Sequence, residues 1–76
     1  MKRQRRNTLV DVQIAVRLKG LRYARGLTQE DVRYAVDMNI ARIESGRHSV
    51  SLGTLADLSD FYDVPFEELF RGVVTH

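Results

Sequence analysis

A chain of 76 residues without a cysteine has to rely on a small helical core, its own or one extended by a partner subunit. A domain of this size buries only about 60% of the surface that its unfolded chain exposes. Neither a disulfide framework nor a thiolate metal site is open to it, and nothing points to an oxidising compartment. The apolar residues must therefore be concentrated in one economical core, and their spacing shows how.

Val10, Ile14, Leu18 and Leu21 recur at i, i+4, i+8 and i+11, which is one stripe of a helix. The stripe predicts a first helix from about residue 9 to Arg25, with Thr8 as its cap and Gly26 ending it in the left-handed conformation. Thr28 opens a second helix, Asp31 stands at the capping-box position, and Val32, Ala35 and Val36 form the apolar face. Asp37 is the expected cap of a third helix that buries Ile40 and Ile43 and stops at Gly46. Ser51 caps a fourth, whose Leu52, Leu55, Leu58 and Phe61 or Tyr62 supply the largest block of core. Pro65 suits the first turn of a fifth, packed back by Phe66, Leu69 and Phe70 and ended by Gly72. No strand pattern of useful length and no internal repeat appears. The expectation is an all-α, compact five-helix domain over residues 9–72, with a basic flexible arm at 1–8 and a tail at 73–76 that lacks a clear period.

The arm, MKRQRRN, carries Lys2, Arg3, Arg5 and Arg6 and no acid. A basic cluster before an apolar stretch has the outline of a leader peptide. Asp11, Gln13, Arg17 and Lys19 interrupt that stretch before it reaches the length of a secretory core or a membrane span, so a cytoplasmic protein without membrane contact is expected. Net charge is only +2, but residues 1–47 carry eleven Lys or Arg against five acids, and residues 48–76 carry Arg71 against five. Such polarity suits a module that turns its N-terminal two thirds toward a polyanion. Basic tails and acidic surface helices are also common in small soluble domains.

Catalysis finds little to work with. The histidines are His48, in an expected loop, and His76, and no residues form a metal-ligand spacing, a nucleophile-base-orienter series or a phosphate-binding glycine loop. The expectation is a non-enzymatic protein with no cofactor and no metal.

Five segments occur in a telling order: Ile14-Ala-Val-Arg-Leu-Lys-Gly-Leu-Arg22, Gly26-Leu-Thr-Gln-Glu-Asp31, Arg42-Ile-Glu-Ser-Gly46, Ser51-Leu-Gly-Thr-Leu55 and Val64-Pro-Phe-Glu-Glu-Leu-Phe70. The series resembles the lambda-repressor-like, XRE/Cro-type helix-turn-helix family across residues 14–70. That resemblance implies a five-helix bundle in which residues of about 28–46 form the helix-turn-helix and helix 3 enters the major groove of double-stranded DNA. It further implies a phosphate contact by Gln29, a DNA-facing Arg42, and an ion pair between Arg22 and Glu44 that holds helix 1 on helix 3. Arg47, His48 and Ser49 fall where the family makes further backbone contacts. Arg22 as a phosphate ligand is the competing role.

One departure from the family pattern lies at its centre. Between Leu27 and Arg42 the chain is about three residues shorter than a typical member and has no glycine, so the turn, the start of helix 3, or part of each is missing. Base contacts in such motifs come mainly from the first residues of the recognition helix. Here those residues are Asp37, Met38 and Asn39. Met38 serves either the core or a thymine methyl. Asn39 is either a reader of an adenine edge or a solvated polar residue. Arg42, at i+3 from Asn39, shares its face and takes a guanine or a phosphate. Arg33 comes into reach if the short turn tilts helix 3. The arm cations follow the phosphates, enter the minor groove, or merely solubilise.

Taken together these features lead us to expect a sequence-specific transcriptional regulator, a repressor or autoregulator, acting as a homodimer through a patch around Val64, Phe66, Phe70, Val73 and Val74. The rival expectation is an antitoxin-like or adaptor module on the same fold, with a toxin or co-regulator as protein partner and weak or non-specific DNA binding.

Overall fold

Asn7 accepts a hydrogen bond from the Val10 N–H at 3.0 Å, and the first helix begins behind it. A computed structural model describes residues 7–76. Its elements are α1 (Thr8–Ala24), α2 (Gln29–Val36), α3 (Ile40–Glu44), α4 (Leu52–Tyr62) and a 3-10 turn at Phe66–Phe70. Among the described residues there is no strand. The arm expected at 1–8 falls almost wholly outside them.

Each boundary has a local cause. Thr8, expected as the first cap, is the first helical residue instead, because Asn7 holds the extended backbone that a cap requires. At the other end Gly26, at φ +67°, sends its N–H to Tyr23 while Leu27 sends its own to Arg22, the paired closure that a left-handed glycine permits. Thr28 and Asp31 form a reciprocal box: Asp31 N–H donates to the Thr28 hydroxyl at 3.0 Å, and Thr28 N–H donates to the Asp31 carboxylate at 2.8 Å.

The backbone N–H of Thr28 holds the Asp31 carboxyl below the usual aspartate range. A carboxylate with a depressed folded-state pKa stabilises the fold above its unfolded pKa and stops doing so as pH falls through the folded value. Asp31→Asn should therefore lower the melting temperature at neutral pH, and the gap to the parent chain should close on acidification below the ordinary aspartate range. Thr28→Ala should cost about 1 kcal/mol at neutral pH, read by denaturant unfolding.

The core is one cluster of Ile14, Leu18, Val32, Ile40, Leu55, Leu58, Tyr62 and Leu69, one or more from every element. Three sequence expectations need correction here. Ala35 is exposed, and Val32, fully buried, anchors α2 with Val36 half-buried beside it. Leu52 is 67% exposed, and α4 packs through Leu55, Leu58 and Tyr62 instead. The fifth element is a five-residue 3-10 turn and not an α-helix. Pro65 precedes it in extended conformation, so the proline acts as its boundary.

The tail is fastened to α1. Gln13 donates to the Val74 carbonyl at 2.8 Å and accepts from the Val74 N–H at 3.0 Å, while the Asn7 amide donates to the Thr75 carbonyl at 2.9 Å. Arg17 donates to the carbonyls of Glu68 and Arg71. No helix among the described residues is long and apolar enough to cross a membrane.

Candidate nucleic-acid interface

The α2–α3 turn is three residues long, Asp37 to Asn39, and its geometry reverses one expectation. Asp37 does not cap α3. It sits at φ +56°, ψ +49° and ends α2, its N–H bonded to the Arg33 carbonyl at 2.8 Å. A left-handed residue cannot supply the extended backbone of an N-cap, and aspartate tolerates this region better than most side chains. Asp37 thus takes the place that a glycine would fill in a longer turn. The cap of α3 is Asn39, whose Oδ1 accepts from the Arg42 N–H at 3.0 Å.

That cap limits what Asn39 offers to DNA. A bidentate contact with adenine needs both the amide oxygen and the amide nitrogen, and one lone pair of the oxygen is already committed to α3. The recognition helix itself has five residues, about 7.5 Å of rise, with Ala41, Arg42 and Ser45 exposed and Ile40 and Glu44 buried.

Behind the exposed face lies a buried polar network joining three elements. Arg22 of α1 donates through Nε to Glu44 Oε2 at 2.8 Å and through Nη2 to Glu44 Oε1 at 2.9 Å, and through Nη1 to the Leu27 carbonyl at 2.9 Å. Arg22 and Glu44 are 5% and 6% exposed. Hydrogen bonding to Glu44 binds the Arg22 proton more tightly than usual, against the opposing effect of burial. Gln29 Nε2 donates to the same Glu44 Oε1 at 3.1 Å. The Gln29 side chain at the start of α2 is thereby held against α3, half-buried, with its amide nitrogen engaged inside the protein.

The described arginines divide into two sets. Arg17, Arg22 and Arg25 donate to acceptors within the fold, Arg33 pairs with Glu30 and lies over the Tyr34 ring at 5.1 Å, and Arg71 pairs with Glu68 at 2.9 Å. Of the arginines in the described residues, only Arg42 and Arg47 have a guanidinium with no acceptor among those residues. Both are exposed, one on α3 and one just past its end. Arg47 is placed by Gly46, which turns at φ +73° directly against α1. A Cβ there would stand 3.4 Å from the Val12 Cα and 3.6 Å from the Ala15 Cβ.

A cleft of about 310 Å³ runs beside Arg42, between α3, the 48–51 turn and the start of α4, with Met38, Ile43 and Val50 among its apolar walls and His48 among its polar ones. Met38 is half-buried against the core and still lines this cleft, so it belongs to both environments. Ser49 turns its hydroxyl to the Asp11 carboxylate at 3.0 and 3.1 Å, and Ser51 caps α4 by accepting from the Thr54 N–H at 3.1 Å. Lys2, Arg3, Arg5 and Arg6 lie outside the described residues. Asp57 and Asp60 sit on α4, Asp63 just past its end, and Glu67 and Glu68 on the 3-10 turn; α4 and that turn pack on each other, while α3 packs on α1 and α2.

Two helices joined by a three-residue turn, the second held by a buried ion pair with its outer face left free, match a family described as a helix-turn-helix domain over residues 13–71. The chain belongs to that family. Comparison with curated proteins and with solved structures gives no match. A helix-turn-helix domain is a module that binds duplex DNA through its second helix. In this one the matched stretch includes every element from α2 to the 3-10 turn and most of α1.

What sequence reasoning missed at this site is the capping role of Asn39 and the exposure of Ala41 and Ser45. A signal for the first was present: Asn39 stands directly before Ile40-Ala-Arg-Ile, as an N-cap does.

Proposed function

We propose that this helix-turn-helix domain is a sequence-specific transcriptional regulator of the lambda-repressor-like, XRE/Cro type, acting as a repressor or autoregulator and as a homodimer on a two-fold symmetric site. The observation that carries the reading is that Arg42 on α3 and Arg47 just past its end are exposed and have, among the described residues, no acceptor for their guanidinium groups. The other described arginines already donate to acceptors within the fold, so these two are the ones open to an anionic or base-edge acceptor outside it. Arg42 is the base reader and Arg47 a phosphate contact. Asn39 contributes its amide nitrogen, Met38 an apolar contact through the cleft, and His48 borders that cleft. Gln29 reaches a phosphate only by leaving Glu44 or by offering its backbone N–H at the start of α2. Arg33 reaches DNA only by leaving Glu30, and Ser49 only by leaving Asp11.

Lys2, Arg3, Arg5 and Arg6 add sequence-independent affinity. Removing residues 2–6 should weaken binding to all duplexes alike and flatten the slope of log K against log salt by about 0.9 for each phosphate that the arm neutralises. An unchanged slope would make the arm a bystander.

A second reading is supported by the five-residue α3 and the commitment of Asn39 to its cap: an antitoxin-like or adaptor module that binds a toxin or co-regulator and holds DNA without preference. Selection of duplexes from a random library with the purified protein separates the two. A recovered motif with two-fold symmetry supports the regulator. Tight, salt-sensitive binding with no enriched sequence would replace it with the second reading.

A further inference from the structure

α1 carries a second apolar stripe that the fold does not cover. Leu9, Val12, Val16 and Tyr23 are 41%, 49%, 65% and 66% exposed, and they lie on the helix face opposite Ile14 and Leu18. Val74, 52% exposed, is hydrogen-bonded to Gln13 and extends the patch. Five of the eight large apolar residues exposed in the described chain therefore gather on one side. Exposed apolar side chains gathered on one face, when they form a large enough patch, mark interaction sites.

The fifth residue of the stripe is Gly20. A glycine inside a helix destabilises it relative to alanine, and the usual reasons for accepting this are absent here. The backbone of Gly20 is not left-handed, and a Cβ built on it would meet nothing within 4 Å. Nothing inside the monomer requires the missing side chain. A close approach from outside would.

We propose that this face docks a second copy of the chain, the two α1 helices packing antiparallel about a two-fold axis at Val16. This rests on the homodimer reading above and moves the interface from the C-terminal patch to α1. The stripe is complementary to itself in this register. Val16 meets its own counterpart and Leu9 comes level with Tyr23, apolar against apolar, while Val12 comes level with Gly20 of the other copy, so that its bulk stands opposite space. No cation is set against a cation: Lys19 comes level with Gln13, and Arg17 with Ala15. A self-complementary patch of this kind is what an isologous contact requires. α1 is about 26 Å long, so one such helix pair with the Val74 edge falls at the small end of specific interfaces, below about 1,200 Å². The dimer is accordingly in exchange with monomer, not obligate.

The chain has no cysteine, which gives a direct test. Val16→Cys places a thiol on the axis, and Leu52→Cys, 67% exposed on α4, serves as the equally accessible control. Under mild oxidation of the full chain without DNA, Val16→Cys should give a disulfide-linked dimer and Leu52→Cys should not. Sedimentation equilibrium should show monomer–dimer exchange in the parent chain. Gly20→Gln should weaken that exchange about tenfold or more while raising the melting temperature of the dilute monomer, since it improves the helix and meets no neighbour. Self-association that Gly20→Gln leaves unchanged, with no preference for the Val16 crosslink, would overturn this interface and leave the homodimer standing. No self-association at all would overturn both.

Discussion

Glu44→Ala should lower the unfolding free energy by about 3–5 kcal/mol, because it strips a buried guanidinium of its carboxylate partner. The two nitrogens of Arg22 that now meet Glu44 at 2.8 and 2.9 Å would be left inside the protein, with the Leu27 carbonyl as the remaining acceptor. Gln29 would lose its acceptor as well. Domains of this kind have only about 5–15 kcal/mol to lose, and each kcal/mol moves the melting temperature of a small domain by about 4–8 °C. A fall of at least about 12 °C in a thermal scan is the expected result. The magnitude comes from the uncompensated charge, not from the worth of the pair itself, so the double variant Arg22→Met with Glu44→Leu should recover most of the loss. A cost below about 1 kcal/mol for Glu44→Ala would mean that water reaches Arg22 and that the pair behaves as a surface contact.

Arg42→Ala should do the opposite: leave stability within about 0.5 kcal/mol of the parent chain and weaken binding to the selected duplex by about 5- to 150-fold, equivalent to about 1–3 kcal/mol. The guanidinium makes no hydrogen bond within the described chain, so folding has little to lose. The Arg42 backbone N–H still serves the Asn39 cap after the substitution. Specificity at one base position should relax together with affinity. Arg47→Ala, by contrast, should weaken binding to all sequences alike and lower the salt slope by about 1. The same enriched motif at unchanged affinity after Arg42→Ala would remove it as the reader.

The elements themselves were largely legible because each is announced by local chemistry. The α1 stripe, the Thr28–Asp31 box and the Ser51 cap all act within four residues of themselves. Legibility ended where two residues competed for one role, or where the deciding partner was remote in sequence. Asp37 and Asn39 are both competent caps, and the choice between them follows from the register that buries Ile40, 2% exposed. Asn7 and Thr8 pose the same ambiguity at α1. The grip of Gln13 on Val74 spans 61 residues and leaves no trace in any periodicity. At the site, a free Arg42 and an engaged Arg33 look alike in a sequence. Only the neighbouring Glu30, three residues back on the same face, distinguishes them.

Asn7 joins the two ends of the described fold, capping α1 with its amide oxygen and holding the Thr75 carbonyl with its amide nitrogen. The chain consequently enters and leaves the bundle at one place. A unit with adjoining ends is topologically a loop. It can be spliced into an exposed turn of a host protein, or closed on itself by a short peptide, with its core undisturbed.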